Sequence, residues 1–290
     1  MAATAPNPMS EQTPYASTKN EFELTDKDFD FVVRFIAEHA GISLTQAKRQ
    51  MVYGRLVRRL RALGLQQFSD YCALLEDPDS GEVENFVNAL TTNLTAFFRE
   101  PHHFEFLAQE LLPRLVNERP QRRIRVWSAG CSTGEEPYSL AMVLAENLPA
   151  SWDIRILATD LDSNVISTAS AGVYPLERLG KLEAVRMKRW FLQGKGRNTG
   201  MVKVRPALRK LITFRQLNLL GSWPMQQAFD VIFCRNVVIY FTKDTQRGLF
   251  NRFADQLHPE GHLFVGHSES LFKVCERFRP LGGTIYQRIL

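Results

Sequence analysis

The residues best suited to do chemistry lie in one stretch of the chain, IRVWSAGCSTGEEPYSLAM at residues 124–142. A short apolar run ends at small residues, and a turn, Gly130–Gly134, then leads into a helical pattern that opens with Glu135, Glu136 and Pro137. Proline suits a first helical turn, where its missing N–H would be unbonded anyway, and the helix dipole favours acids there. We therefore predict a strand, a tight turn and a helix, the place where nucleotide-like ligands bind in open α/β sheets.

The composition of this turn narrows the class of ligand. Its glycines are spaced G-x-x-x-G, and no Lys-Ser/Thr pair follows, so the turn matches neither a dinucleotide fingerprint nor a P-loop. Two glutamates at the start of the helix would repel a pyrophosphate. They favour a ligand with positive charge, such as the amino group and sulfonium of S-adenosylmethionine (SAM). The alternative is an ordinary strand-to-helix turn in which the glutamates only cap the helix.

Further polar residues follow strand-like runs. Asp160 ends one such run, 30 residues after Gly130, where an acid that binds ribose hydroxyls is expected. The alternative is that Asp160 caps a helix predicted over 163–171. Asn218 and Asn236 end two more apolar runs, again at the carboxyl ends of predicted strands. These side chains are candidates for the same site.

The elements that precede this region have a helical pattern. A helix is predicted from Thr25 to a C-cap at Gly41, and the capping-box signature at Ser43 predicts a second helix over 44–63. This second helix contains no acid, and its basic residues are Lys48, Arg49, Arg55, Arg58, Arg59 and Arg61. Like charges without a counter-charge repel one another, so we interpret this face as a surface for an acidic partner; the alternative is a solvated face. The helix has no exposed aromatic residues for base stacking, which argues against nucleic acid.

A polar connector links the helical patterns to the α/β pattern. Asn93, Thr95 and Arg99 alternate with apolar residues between two helical segments, which fits either a site-lining segment or a buried connector. Arg99 follows two phenylalanines and is expected to reach an anion. We predict a helical domain at 21–117, a linker at 118–123 and a doubly wound α/β domain at 124–290.

Three spaced glycines mark an insert in the α/β domain. Gly194, Gly196 and Gly200 precede a strictly alternating run at 201–205, which predicts a small antiparallel subdomain with an accessible edge at about 192–216. The alternative is a hairpin without a function of its own.

Bulk composition sets the class of protein. The 290 residues carry a formal net charge of +5, and 44% of them are hydrophobic, as in a soluble globular protein. The four cysteines form no C-x-x-C pair, so we expect reduced thiols and no metal site. Residues 1–20 read as a disordered leader without an export signal, and no apolar run approaches a membrane span, which predicts a cytoplasmic protein.

Four long motifs in this order resemble those of one family. The segments LTTNLTAFFRE and WSAGCSTGEEPYS, the strand that ends at Asp160, and FCRNVVIYF follow a basic helical domain. In this the chain resembles the bacterial chemotaxis receptor glutamate O-methyltransferases (CheR type), over nearly all of residues 21–290. The resemblance implies a Rossmann-like SAM-dependent methyltransferase sheet, an N-terminal all-helical domain and a small inserted antiparallel β-subdomain.

The resemblance also implies a set of site residues. SAM, which leaves as S-adenosylhomocysteine, would contact Asn93, Thr95, Arg99, Glu136, Asp160, Asn218, Leu219, Asn236 and Val237. To these we add our own expectation that Arg99 holds a carboxylate by bidentate pairing and that Tyr240 lines the transfer site, both in positioning roles.

The implied partner is a membrane chemoreceptor. Its acidic methylation helices would dock on the helical domain through Lys48, Arg55, Arg58 and Arg59, and the reaction would serve sensory adaptation. In members that bind a receptor's C-terminal pentapeptide, the insert does so, and the positions Gly194, Gly196 and Gly200 resemble that version. We expect a monomer that neither binds nucleic acid nor inserts into a membrane. The alternatives are a nucleic-acid methyltransferase, although the chain lacks an Asn/Asp-Pro-Pro-aromatic motif, and a SAM-sensing scaffold without turnover.

Overall fold

Three apolar cores organise the chain in a computed structural model that describes residues 21–180 and 182–289. One core lies among the N-terminal helices, and the other two lie on the two faces of a β-sheet. The leader predicted at 1–20 lies outside the described residues.

The first core is formed by four helices. The first helix begins at a capping box, in which the Thr25 hydroxyl accepts from the Asp28 N–H at 3.2 Å and the Asp28 carboxylate accepts from the Thr25 N–H at 3.2 Å. It ends at Gly41, whose φ of 68° is a left-handed conformation that glycine adopts readily. The helices are α1 Asp26–Ala40, α2 Arg49–Leu63, α3 Phe68–Glu76 and α4 Glu82–Leu90.

The start of the second helix differs from the prediction. A 3₁₀ turn, Gln46–Lys48, precedes α2, and the residue before that turn is Thr45, whose side chain caps nothing. The capping box predicted at Ser43 therefore does not form, because the backbone N–H of Ser43 instead donates to the carbonyl of Tyr240 at 2.9 Å. The chain uses this segment to contact the second domain.

Two arginines on the basic face of α2 have acidic partners, so the expectation that this face lacks counter-charges is wrong. Arg59 donates two hydrogen bonds of 2.8 Å to the buried carboxylate of Glu82. Arg55 donates to the carbonyls of Leu90 and Thr91 at 2.8 and 2.6 Å. The remaining pairs are Arg49 with Asp26 and Arg61 with Glu21. Acids that are distant in sequence thus pair with a helix that contains none.

The domain boundary lies at residues 91–100, before the boundary predicted at 117. Helices α5 Pro101–Phe106 and α6 Leu112–Glu118 are joined by a π-helical turn, Leu107–Leu111. Their apolar residues pack with the sheet core and not with the first four helices. Residues 118–123 are consequently no linker between domains, and the polar connector at 91–100 separates the two units.

The second domain is a seven-stranded sheet with helices on both faces. Its strands, with those of a smaller sheet, are β1 Arg123–Ala129, β2 Asp153–Asp160, β3 Val173–Pro175, β4 Phe191–Gln193, β5 Met201–Val204, β6 Ile212–Gln216, β7 Phe229–Cys234, β8 Leu257–Val265, β9 Phe278–Gly282 and β10 Ile285–Arg288. The helices are α7 Glu135–Asn147, α8 Ser163–Ala171, α9 Ala184–Trp190, α10 Pro206–Arg209 and α11 Lys243–Gln256.

The strand order confirms the predicted doubly wound fold. It is β6-β2-β1-β7-β8-β10-β9, with β10 antiparallel to both neighbours and the other pairs parallel. Every residue of β7 is buried, as expected for a strand covered on both faces. The order reverses at β1, so the carboxyl ends of β1, β2 and β7 meet at one crevice.

Two features near the C-terminus differ from what the sequence pattern indicates. Residues 259–261, Pro-Glu-Gly, have the composition of a turn but lie inside β8, where the pairing with β7 shifts in register. Strand β9 was not predicted, because its burial does not alternate: only its first residue is buried.

The insert is a three-stranded antiparallel sheet of order β3-β5-β4. It begins at Val173, earlier than the expected residue 192, and the run 212–216 belongs to the large sheet through its pairing with β2. Strand β3 was not predicted, because it follows α8 closely and its three residues are too few to show an alternation of apolar and polar side chains.

Two further features bear on the class of protein. Among the described residues, no helix combines the length and the apolar character needed to span a bilayer. The four cysteines are buried and form no disulfide.

The pair formed by Arg59 and Glu82 gives a stability prediction. Burial acts to raise the pKa of Glu82, but hydrogen bonds from Arg59, Tyr71 and Asn85 outweigh it and hold that pKa below its usual value. We expect Arg59→Ala to lower the free energy of unfolding by about 2 kcal/mol, because a buried carboxylate loses its counter-ion. Urea unfolding at pH 7 measures this loss.

The matched control is Arg58→Ala, since Arg58 is the exposed neighbour on the same helix. It should change stability by less than about 0.5 kcal/mol. A lowered pKa stabilises the fold above the unfolded value of about 4.3, and that contribution is lost as the pH falls through the folded value. The gap between wild type and Arg59→Ala should therefore shrink below about pH 4. Equal stability of Arg58→Ala and Arg59→Ala at pH 7 would contradict a structural role for the pair.

Candidate active site

A cavity of about 350 Å³ lies between the helical domain and the carboxyl ends of β1, β2 and β7. Its walls come from both domains, with Ile42 and Met51 on one side and Gly130 and Arg235 on the other. The predicted site residues that it brings together are Lys48, Arg55, Asn93, Thr95, Arg99, Glu136, Asp160, Asn218, Leu219, Asn236, Val237 and Tyr240. Residues that are up to 192 positions apart in the sequence thus line one space.

The glycine turn approaches the cavity closely for a steric reason. Gly130 has a φ of 88°, and a Cβ atom there would overlap the side chain of Val237. The N–H groups of Gly130 and Cys131 both donate to the carbonyl of Thr159, at 2.8 and 2.9 Å, which ties the turn to the end of β2. Gly134, with a φ of 99°, then begins α7. The predicted strand, turn and helix are confirmed.

Asp160, the last residue of β2, and Asp162, two residues later, share the roles that the sequence assigned to one aspartate. Asp160 accepts from the backbone N–H groups of Ser132 at 2.8 Å and Asp162 at 3.0 Å, so it fixes the turn as well as lining the cavity. Asp162 caps α8, and its other oxygen accepts from Asn93 at 2.7 Å. The alternative interpretation of Asp160 as the helix cap is therefore wrong. Burial raises the pKa of Asp160, because it disfavours the charged carboxylate. A cation or a hydroxyl donor bound in the cavity would favour the charged form.

A buried guanidinium forms the base of the cavity. Arg235 follows β7, and its nitrogens lie 3.2 Å from Glu136 and 3.3 Å from Glu100 while also donating to the carbonyl of Arg99. Burial raises the pKa of Glu136, against the opposing effects of Arg235 and Ser128. For Glu100, burial is outweighed by the hydrogen bond from His267 and by Arg235, and its pKa falls to about 2.

The two residues predicted to position the reactants line the cavity from different segments, Arg99 from the connector and Tyr240 from the turn after β7. Arg99 donates to the carbonyl of Leu94 at 2.8 Å, and among the described residues nothing else accepts a hydrogen bond from its guanidinium. Tyr240 ends the 3₁₀ turn Val238–Tyr240. Asn218 lines the cavity, but its side-chain amide donates to the carbonyl of His39 at 2.7 Å, so it also joins the two domains.

Other predicted residues lie away from the cavity walls. Arg58 is exposed on α2, and Arg59 is held by Glu82. The glycines at 194, 196 and 200 surround the loop between β4 and β5, where Gly196 and Gly200 have φ of 59° and 85°. A Cβ atom at 194 would overlap the carbonyl of Asn198.

Sequence reasoning assigned no role to four residues whose side chains fix segments around the cavity: Arg235, Asp162, Ser132 and Glu269. A signal existed for Arg235, because a charged residue directly after the apolar run at 231–234 has to meet a counter-charge. A weaker signal existed for Asp162, which is two residues after Asp160. Nothing local marks Ser132 or Glu269, most of whose partners are distant in the sequence.

The fold and the site together define an α/β protein that binds a nucleotide-like ligand at a topological switch point. Two family models then assign the chain. Residues 93–287 match "CheR methyltransferase, SAM binding domain", and residues 27–91 match "CheR methyltransferase, all-alpha domain". The chain therefore belongs to the CheR methyltransferase family and is a SAM-dependent methyltransferase. The division between the two models coincides with the connector at 91–100.

Relatives of known description are similar over almost their whole length. Chemotaxis protein methyltransferase 2 of Pseudomonas aeruginosa is 49% identical over 269 residues, which are 92% of this chain and 94% of that protein. The chemotaxis protein methyltransferases of Klebsiella aerogenes and Escherichia coli K12 are each 46% identical, over 93% and 91% of this chain and 92% and 91% of theirs.

The residues present fit SAM. The carboxylates of Asp160 and Glu136 supply negative charge and hydrogen-bond acceptors for a cationic, hydroxyl-bearing ligand, and the side chains of Leu217, Leu219 and Phe241 supply apolar walls. SAM, when bound, provides an electrophilic methyl group on a sulfonium. The chain's own part is to hold that ligand and to exclude water.

The ion pairs of Arg235 give a prediction for this site. Lysine keeps the positive charge but lacks the planar fork that reaches both carboxylates and a carbonyl. We expect Arg235→Lys to lower the free energy of unfolding by about 2–3 kcal/mol, because buried acceptors are left unpaired. Urea unfolding measures the change. Arg114→Lys is the control: Arg114 pairs with Glu118 on the surface, and the change there should stay within about 0.5 kcal/mol. Equal stability of the two variants would show that the fork at 235 is not needed.

Proposed function

We propose that this methyltransferase esterifies glutamate side chains on the cytoplasmic helices of a chemoreceptor, with glutamate methyl ester and S-adenosylhomocysteine as products and sensory adaptation as its role. The proposal rests on one observation above all. The residues that hold SAM in the resemblance share a single cavity with Arg99, Tyr240 and the cations Lys48 and Arg55. An acidic acceptor and a sulfonium donor are the reactants that such a cavity suits.

The chemistry requires no general base. A glutamate carboxylate has a reference pKa of about 4.3, so it is already a nucleophile at neutral pH. One carboxylate oxygen forms a bond to the methyl carbon as the bond from that carbon to sulfur breaks, and no proton moves. Alignment of the reactants and exclusion of water then determine the rate, and in well-oriented models positioning contributes up to about 7–11 kcal/mol.

Arg99 is the residue proposed to hold the acceptor. Its guanidinium lines the cavity, and one of its nitrogens donates to the carbonyl of Leu94. The other N–H groups of the guanidinium can pair with a glutamate carboxylate. Tyr240 lines the same cavity, and its backbone carbonyl is fixed by the N–H of Ser43. Both residues position reactants, and neither acts as an acid or base.

The exposed cations of α2 are proposed to steer the receptor. Lys48 and Arg58 are exposed and pair with no acid among residues 21–180 and 182–289. Arg55 and Arg59 have structural partners, so their part in docking is to hold α2 and the connector in place. One-signed charges near a site accelerate encounter with an acidic helix.

The insert is proposed to tether the receptor's C-terminal pentapeptide. Its edge strands β3 and β4 leave backbone groups available for strand addition. The loop that carries Gly194, Gly196 and Gly200 follows β4, and Leu192 of that strand is exposed. The enzyme is proposed to act as a cytoplasmic monomer.

Transfer of labelled methyl groups from SAM into receptor cytoplasmic fragments tests this function. We expect base-labile label, because a carboxyl methyl ester hydrolyses in alkali, and more of it in fragments that keep the pentapeptide. Label that resists base, or label in nucleic acid only, would point to a different acceptor. SAM binding without transfer would point to a sensing scaffold.

The matched variant for this assay is Asp160→Asn. It keeps the shape of the side chain but removes the charge and one acceptor, and we expect the Kd for SAM to rise at least about tenfold. Calorimetry measures binding, and circular dichroism checks that the fold persists. An unchanged affinity would exclude Asp160 from the SAM pocket.

Reversal of one exposed charge tests the docking surface. We expect Arg58→Glu to slow receptor methylation about fivefold to tenfold at low salt, with a smaller effect at 0.5 M salt, because screening weakens steering. The Kd for SAM should not change. The control is Arg155→Glu, since Arg155 is exposed near the opposite, amino end of β2. Equal rates for both variants would mean that the basic face of α2 is only solvated and does not contribute to receptor docking.

A further inference from the structure

A buried carboxylate outside the cavity organises the segment that forms one of its walls. Glu269 is 4% exposed and lies in the loop after β8, beyond every segment used above for the site. It does not line the cavity. Its partners are backbone groups of the segment that carries Asn236, Val237 and Tyr240.

Five backbone N–H groups converge on the two oxygens of this carboxylate. Oε1 accepts from Val237 at 2.9 Å, from Val238 at 2.9 Å and from Ile239 at 3.3 Å. Oε2 accepts from Asn236 at 2.8 Å and from Gly266 at 2.6 Å. Four of the five donors are consecutive residues, so one side chain fixes the whole turn between β7 and Tyr240.

The held turn is strained and contacts the ligand space. Asn236 has a φ of 61°, a left-handed conformation that is unfavourable for a residue with a side chain. Such a conformation persists only where surrounding contacts impose it. Asn236, Val237 and Tyr240 all line the cavity, so displacement of this turn would change the shape of the site.

We propose that Glu269 is a positioning residue for SAM: its carboxylate holds the turn 236–240 in the conformation that binds the ligand. The inference deepens the proposed function, because it concerns the same cavity. It rests on the placement of SAM beside Asn236 and Val237.

The pattern of donors requires an ionised carboxylate. Each oxygen accepts from at least two N–H groups. If either oxygen carried a proton, or were replaced by an amide NH₂, its hydrogen would face one of these N–H donors. Glu269→Gln therefore keeps the volume of the side chain and loses about half of the interactions. The N–H groups that it leaves unsatisfied are buried, which is the costly outcome for a hydrogen bond.

Binding of S-adenosylhomocysteine by calorimetry tests the proposal without any receptor. We expect Glu269→Gln to raise its Kd at least about tenfold, whatever the loss of thermal stability. The control is Asp230→Asn, since Asp230 is a buried carboxylate at the opposite end of β7 that accepts from the N–H of Arg125 at 2.8 Å. It should lower Tm while the Kd stays within about twofold.

A second variant approaches the same turn from its other side. A Cβ atom on Gly266 would lie 2.5 Å from the side-chain amide of Asn236 and 2.9 Å from its backbone nitrogen. Gly266→Ala should therefore weaken binding of S-adenosylhomocysteine with Glu269 intact, and it decides the question if Glu269→Gln does not fold.

The outcomes separate this proposal from the proposed function. Weakened binding in the two variants that disturb the turn, with normal binding in Asp230→Asn, supports it. An unchanged Kd in Glu269→Gln, or losses in Asp230→Asn as large as those in Glu269→Gln, would overturn it. Failure of the wild type to methylate receptor fragments would remove the proposed acceptor but leave this comparison intact.

Discussion

The buried charge of Arg235 is the constraint around which the site is built. A guanidinium with a side chain 2% exposed needs acceptors, and its two terminal nitrogens find them in Glu136, Glu100 and the carbonyl of Arg99. These groups belong to α7 and to the connector. Removal of any one would leave a buried charge under-compensated, which costs several kcal/mol. The glycine turn, the end of β7 and the connector are therefore held in one arrangement.

The helical domain contributes residues to the cavity and is also hydrogen-bonded to segments near it. The N–H of Ser43 binds the carbonyl of Tyr240, Asn88 donates to Ser163 at 3.0 Å, and Asn218 donates to the carbonyl of His39. Each bond joins a helical-domain group to a segment near the cavity. Under the proposed function, a receptor helix that docks on the first domain therefore touches the same elements that shape the transfer site. Docking and alignment of the acceptor share one rigid support.

The sequence predicts what depends on near neighbours and fails where distant residues decide. The turn at Gly130–Gly134 and the first helix are read from a few adjacent residues, and both are confirmed. The pairing of Arg59 with Glu82 joins residues 23 positions apart, and the contact of Glu269 with Asn236 spans 33. No local pattern encodes such contacts. The prediction of the domain boundary was wrong for the same reason. In the sequence, α5 and α6 resemble the helices before them, and only the core that they pack against assigns them to the second domain.

After folding, fewer basic side chains of the segment 44–63 lack a partner in the described part of the chain than the sequence suggests, and one of those that do lies at the cavity. Partners from α1, α4 and the connector occupy Arg49, Arg55 and Arg59, and exposed Glu21 pairs with Arg61. Lys48 remains, exposed and on the cavity wall. Attraction between charges weakens over a distance of about 8 Å at physiological salt. Under the proposed function, a cation at the cavity therefore acts on the reacting glutamate itself and a remote one acts on the approach. A net charge of +5 spread over the surface would select any polyanion, whereas a cation at the cavity selects an acid presented at the methyl donor.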